Sequence, residues 1–227
     1  MSVSFDKQYV PAINVADTRH RVLRNTYWLL ALSMIPTVLG AAMGVMFNLP
    51  IPGGFMGFIL FLALAWGFIY AIQKTKDSAL GVGVLLAFTF FMGLWLTPQL
   101  VRTLGFSNGG SLIMMAFGGT ASVLAVMATV ATVSKRDFSM MGKWLFAGVI
   151  VLILASLANF VFQMPALSIV ISVMAIGIFS AYILYDVQQI INGGETNYIS
   201  ATLSLYLDVY MIFSNLLALL GLGGSRE

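Results

Sequence analysis

The chain has 227 residues, of which 60% are hydrophobic and only 8% charged, and its formal net charge is +3. Soluble domains carry roughly 25% charged residues, so a water-solvated globule is excluded. The absence of cysteine excludes a disulfide framework and thiolate metal sites.

Runs of about 20 apolar residues, the length that crosses the hydrocarbon layer as helix, recur along the sequence. The N-terminal stretch "MSVSFDKQYVPAINVADTRHRVLRN" has no apolar core beside a cleavage site. It reads as a polar tail over 1–24, and the first span is expected to act as its own insertion signal. That span covers 25–47 and contains Pro36, which predicts a kink. "NLPIPGG" ends it, the second span runs over 54–73, and "QKTKDS" leads into the third over 79–97. Next, "TPQLVRTLGFSNGG" at 97–110 reads as a loop before the fourth span, 111–134. "SKRDFSMMGK" separates that from the fifth, 142–163. "QMP" separates the fifth from the sixth, 165–191, with Pro165 suited to a first helical turn. "NGGETNY" then joins the sixth to the seventh, 200–222, and its Gly193 and Gly194 suit a left-handed helix end. A short tail, 223–227, follows. Gly40 with Gly44, and Gly53 with Gly57, have the four-residue spacing that lets membrane helices approach closely.

The expected fold is an all-α integral membrane protein, a single seven-transmembrane-helix bundle over 25–222. Lys7, Arg19, Arg21, Arg24, Lys74, Lys76, Lys135, Arg136 and Lys143 fall on the N-terminal side of the membrane, against Arg102 and Arg226 on the other. This positive-inside bias predicts the N-terminus in and the C-terminus out.

Two carboxylates lie inside apolar spans, Asp186 and Asp208, and intramembrane acids are rare and usually functional. Taking the turn as 192–199 and about 1.5 Å of rise per residue, Asp186 lies ~9 Å and Asp208 ~12 Å inside the cytoplasmic end. Two carboxyls at that depth that face each other would share a proton and titrate as one unit. They would also offer oxygen ligands to a hard cation such as Ca²⁺. The blander alternative is that each is polar glue, bonded to Tyr182, Tyr185, Tyr206, Ser204, Asn159 or Asn215. His20, the only histidine, reads as a solvated interfacial residue, and Arg19, Arg21 and Arg24 as anchors at anionic lipid. The chain has no Ser–His–Asp set, no HExxH and no nucleotide fingerprint. Neither an enzyme, nor a bound cofactor, nor a nucleic-acid partner is expected.

"FSAYILYDVQQI" followed by "SLYLDVYMIFSNLLALLG" resembles the last two helices of the Bax inhibitor-1 family. "GLWLTPQL" and "MMAFGGTASVLAV" resemble its Gly–Pro segment and small-residue helix, with Thr97 where Gly often precedes the proline. "HRVLRNTYWLL" and "NGGETNYISATLSLY" resemble its bacterial YccA branch, and the likeness spans 19–222. The resemblance implies a central helix wrapped by the others in a bacterial inner membrane. It implies that Asp186 and Asp208 form a di-aspartyl pH sensor of a Ca²⁺ leak. It also implies a basic latch on that pair, Lys74 or its neighbour Lys76. The acidic residue that some members carry in the second helix has no counterpart here. The YccA branch further implies a substrate and modulator of the membrane AAA protease FtsH, with residues 1–24 as the handle.

Overall fold

The computed structural model describes residues 13–134, 136–138 and 140–222, with side chains from residue 19 onward. Lipid offers no hydrogen bonds, so the backbone has to satisfy itself within each segment, and the described chain is a succession of helices. They are α1 (Ile13–Met46), α2 (Gly54–Thr75), α3 (Ala79–Trp95), α4 (Thr97–Leu104), α5 (Gly109–Val133), α6 (Met141–Phe162), α7 (Pro165–Asn192) and α8 (Tyr198–Leu222). Six are each long and apolar enough to cross a membrane; α3 with α4, bent by 41° at their junction, makes a seventh if the pair is one span.

The predicted stop signals act where they stand. Pro165 occupies the first turn of α7, and Gly193 ends that helix in the left-handed region at φ 80°. Gln163 takes the same role for α6 at φ 49°. Two boundaries differ from expectation. First, α1 begins at Ile13 rather than at 25, so residues 13–24 of the expected tail are helical, while residues 1–12 lie outside the described residues. Second, the segment expected as a loop after residue 97 holds α4. Proline sits in its first turn, and Thr97, Leu100 and Thr103 are buried along one side, so it is a short amphipathic helix laid on the bundle.

α8 is the central helix: it packs against every other described helix except α6, which rests on α7 alone. Its Ile199, Leu205, Tyr206, Ile212 and Leu217 are almost wholly buried. α1 packs tightly on α3 and on the start of α4. A Cβ added at Gly40 would fall on the Phe90 carbonyl, one at Gly93 on the Thr37 carbonyl, and one at Gly44 on the Thr97 hydroxyl. The Gly40–Gly44 spacing thus marks a real contact, whereas Gly53 faces open space and Gly57 abuts Pro52 of its own preceding turn.

One end of the bundle gathers basic residues. Arg19 donates to the Ile191 carbonyl at the end of α7, a favourable place for a cation. Asn197 binds the Lys76 carbonyl, and Gln188 binds that of Arg136. These contacts bring the start of α1, the α2–α3 turn, the α5–α6 connection and the α7–α8 turn together at this basic end.

Gly93→Val is expected to push α1 from α3 at a cost of about 1–3 kcal/mol. Gly67→Ala, where an added Cβ meets nothing within 4 Å, is expected to cost nothing and to add up to about 1 kcal/mol from the better helix former. Unfolding of the purified protein in a mixed-micelle denaturant titration measures both.

Candidate functional site

The site is built on the α7–α8 hairpin. α7 closes with Gly194 N–H donating to the Gln189 carbonyl at 2.8 Å, alongside the left-handed Gly193. α8 then opens under Asn197, whose Oδ1 accepts from the N–H groups of Ile199 at 2.9 Å and Ser200 at 3.1 Å. This is a side-chain N-cap, and it satisfies donors that the first helical turn leaves free. The other end of the same amide reaches across to the α2–α3 turn, donating to the Lys76 carbonyl at 3.0 Å and to Asp77 Oδ1 at 2.9 Å. Asn197 is therefore both the start of α8 and the tie between two turns. A lone Asn between Thr and Tyr gave no sign of this in the sequence beyond its position ahead of an apolar run.

Below this turn Asp186 of α7 and Asp208 of α8 lie close enough for their side chains to interact. Asp208 is 5% exposed, and Asp186 is half-buried. Asp208 Oδ2 is buried without a hydrogen-bond partner. Tyr182, one turn before Asp186 on α7, lies within electrostatic reach of both carboxyls, and Glu195 in the turn lies within reach of Asp186. Among the described residues no group of three or more His, Cys, Asp or Glu side chains is placed to hold a metal ion.

The other residues singled out in the sequence lie elsewhere. Tyr185 accepts from Gln189 Nε2 at 2.6 Å and packs against Gly142 of α6. Asn159 binds Ser168 and the Met164 N–H at the far α6–α7 turn. Asn215 donates to the Met211 carbonyl of its own helix, and Ser204 is exposed. Tyr206 lies against Thr37 of α1, 2.9 Å away. Lys74 is exposed with its ammonium over the Tyr70 ring, 5.9 Å from the centroid, and Lys76 contributes its carbonyl to Asn197. Neither lysine is drawn to the acid pair here.

Gln188, two residues after Asp186, is a residue the sequence reading passed over. Its buried amide accepts from the Phe138 N–H at 2.6 Å and donates to the Arg136 carbonyl, holding the α5–α6 connection over the hairpin. A movement of α7 at the acid pair would carry this connection with it.

Comparison with known proteins extends these observations. The family described as "Inhibitor of apoptosis-promoting Bax1" matches residues 19–225. The chain is 40% identical over 202 residues, 89% of its length and 90% of the relative's, to the modulator of FtsH protease YccA of Escherichia coli strain K12. The same identity and coverage hold for the inner membrane protein YccA of E. coli O6:H1. A protein of Pseudomonas aeruginosa is 38% identical over 224 residues, covering 98% of this chain and 99% of the relative.

Asn197→Ala is expected to cost about 1–2 kcal/mol from the lost cap. Asn197→Asp keeps the capping oxygen, restores most of that stability, and loses the tie to the α2–α3 turn. Comparing the two variants in the same unfolding titration separates cap from tie.

Proposed function

The chain belongs to the Bax inhibitor-1 family, and we propose that it acts as a modulator of the membrane AAA protease FtsH. It is a multi-pass inner-membrane protein. The reading rests on the 40% identity, across nearly the whole of both chains, to a protein named as that modulator. The part offered to the protease is the N-terminal segment 1–24, of which residues 13–24 continue α1. A protease that pulls on a membrane protein needs a segment it can grip outside the lipid. The positive-inside bias supports an N-terminus in the cytoplasm, and with it the basic end of the bundle.

The nearness of the two carboxyls favours a second activity that is compatible with the first: a pH-responsive cation leak, with Ca²⁺ as the ion. A hydrogen bond between two carboxyl groups needs a proton. Its loss leaves two like charges side by side in a medium of low dielectric, where they repel far more strongly than in water. α7 and α8 are then driven apart, so this mechanism gives more leak as pH rises. A latch of Lys74 onto an ionised aspartate would give the opposite sign, and the placement of Lys74 over Tyr70 favours the first. An ion passing the pair would take carboxylate oxygens from Asp186 and Asp208 and complete its shell with carbonyls, hydroxyls and water.

Raising the level of the chain in cells is expected to lengthen the half-life of an FtsH substrate, followed by pulse-chase; an unaltered half-life counts against modulation. Removing residues 2–20 is expected to slow FtsH-dependent turnover of the chain itself, and undiminished turnover removes this segment as the handle. For the leak, Ca²⁺ flux into proteoliposomes is expected to rise from acid to alkaline pH. Asp208→Asn, which cannot lose that proton, is expected to flatten the profile; an identical profile in the variant eliminates the carboxyl gate.

A further inference from the structure

We propose that the groove between α1 and α5 binds one anionic phospholipid of the surrounding bilayer, with its acyl chain in the groove and its headgroup phosphate at Arg21 and Arg24. α1 and α5 make no close backbone approach to one another, though both pack on α8 and on α4. They therefore stand as two walls on a floor of α8, with α4 across one end. The space enclosed is about 780 Å³, within the range of pockets that bury a substantial ligand. Along α1 the lining runs from Tyr27 to Met46, about 28 Å at helical rise, close to the hydrocarbon thickness.

The chemistry of the lining selects an apolar occupant. Its threonines are already partnered: Thr120 donates to the Ala116 carbonyl, and Thr37 to that of Ser33 while facing Tyr206. Tyr206 and Tyr210 are partnered as well, which leaves only the Tyr27 hydroxyl free, at the end toward the arginines, and at this depth the molecules available from the sides are lipid tails. The groove is laterally open to them, because Val38, Met114 and Phe117 on its rims are exposed. Gly118 on the α5 wall has nothing within 4 Å of an added Cβ.

A second, polar pocket supplies the headgroup end. It is lined by His20, Arg21, Leu23, Arg24 and Tyr27, so Tyr27 belongs to both spaces. Arg21 and Arg24 are exposed there, three residues apart on one face of α1. The junction thus presents guanidinium groups above an apolar channel, matching a phosphate above an acyl chain. Guanidinium forks suit phosphate oxygens, and each cation near a membrane surface strengthens the hold on anionic lipid. Arg19 takes no part, because it is turned to the end of α7.

The experiment is native mass spectrometry of the delipidated full chain, titrated separately with phosphatidylglycerol and phosphatidylcholine of the same acyl chains. The expected result is one tightly held phosphatidylglycerol, bound about thirtyfold better than phosphatidylcholine for two cationic contacts. Arg21→Gln with Arg24→Gln is expected to bring the two lipids level, while Arg21→Lys with Arg24→Lys retains the preference. Lys143→Gln, a cation removed from another part of the same end, is expected to leave the preference intact. Gly118→Phe, whose Cβ has open space and whose ring takes up room in the groove, is expected to weaken both lipids. Equal binding of the two lipids to the unaltered chain overturns the proposal. So does a preference that survives the paired Gln substitutions, or one lost equally in Lys143→Gln.

Discussion

A carboxyl group below the headgroup layer has no water to turn to, so Asp186 and Asp208 have to find partners inside the bundle. They stand close enough to interact with one another. Both belong to the hairpin of α7 and α8, around which side-chain hydrogen bonds gather the basic end. Asn197 caps α8 and reaches the α2–α3 turn. Gln188, two residues past Asp186, carries the α5–α6 connection. The turns are thereby tied to the hairpin that holds the acids, so a movement of α7 against α8 would reach several connections at once.

The same requirement explains why α8 is the central helix. It presents a second polar stripe at four-residue spacing: Thr202, Tyr206, Tyr210 and Ser214. Thr202 reaches the Thr26 carbonyl of α1 and Tyr206 the Thr37 hydroxyl. Tyr210 reaches the Met92 carbonyl of α3, and Ser214 exchanges two hydrogen bonds with Gln99 of α4. Apolar side chains gain little from leaving lipid for a protein interior that is equally apolar, so packing and polar contacts decide which helix sits in the middle. α6, whose neighbour is α7 alone, lies at the periphery and shows Trp144, Phe146 and Leu154 to lipid.

The spans were legible in the sequence because length and apolarity are what a membrane demands, and Asp186 and Asp208 stood out because a charge there needs a reason. Directions were not. In a soluble helix the polar face announces which side is buried; here both the lipid side and the core side are apolar, and the pattern carries no such sign. Tyr185, Asn159 and Asn215 therefore looked as eligible as Tyr182 to meet the aspartates, yet their hydrogen bonds go to Gln189, Ser168 and Met211, while Tyr182 lies near both acids. α4 was hidden for a related reason: eight residues with Pro, Gln and Arg read as a loop, and only their burial against the bundle makes them a helix. Asn197 and Gln188 escaped because their partners are carbonyls and N–H groups of distant turns, which every residue possesses.

The two faces of α8 are not independent. Positions 206 and 210 each stand two residues from Asp208, about 200° round the helix, so Tyr206 and Tyr210 project away from the side that meets Asp186. Those tyrosines also belong to the floor of the groove between α1 and α5. A helix is stiff over a single turn, so α8 cannot withdraw from α7 without pressing toward α1 and α3, where the tyrosines bond. Protonation at the acid pair and occupancy of the groove would then bias the same displacement. By linkage the influence runs both ways: a lipid that favours one position of α8 must alter the proton affinity of the pair by the same free energy with which the proton alters lipid binding.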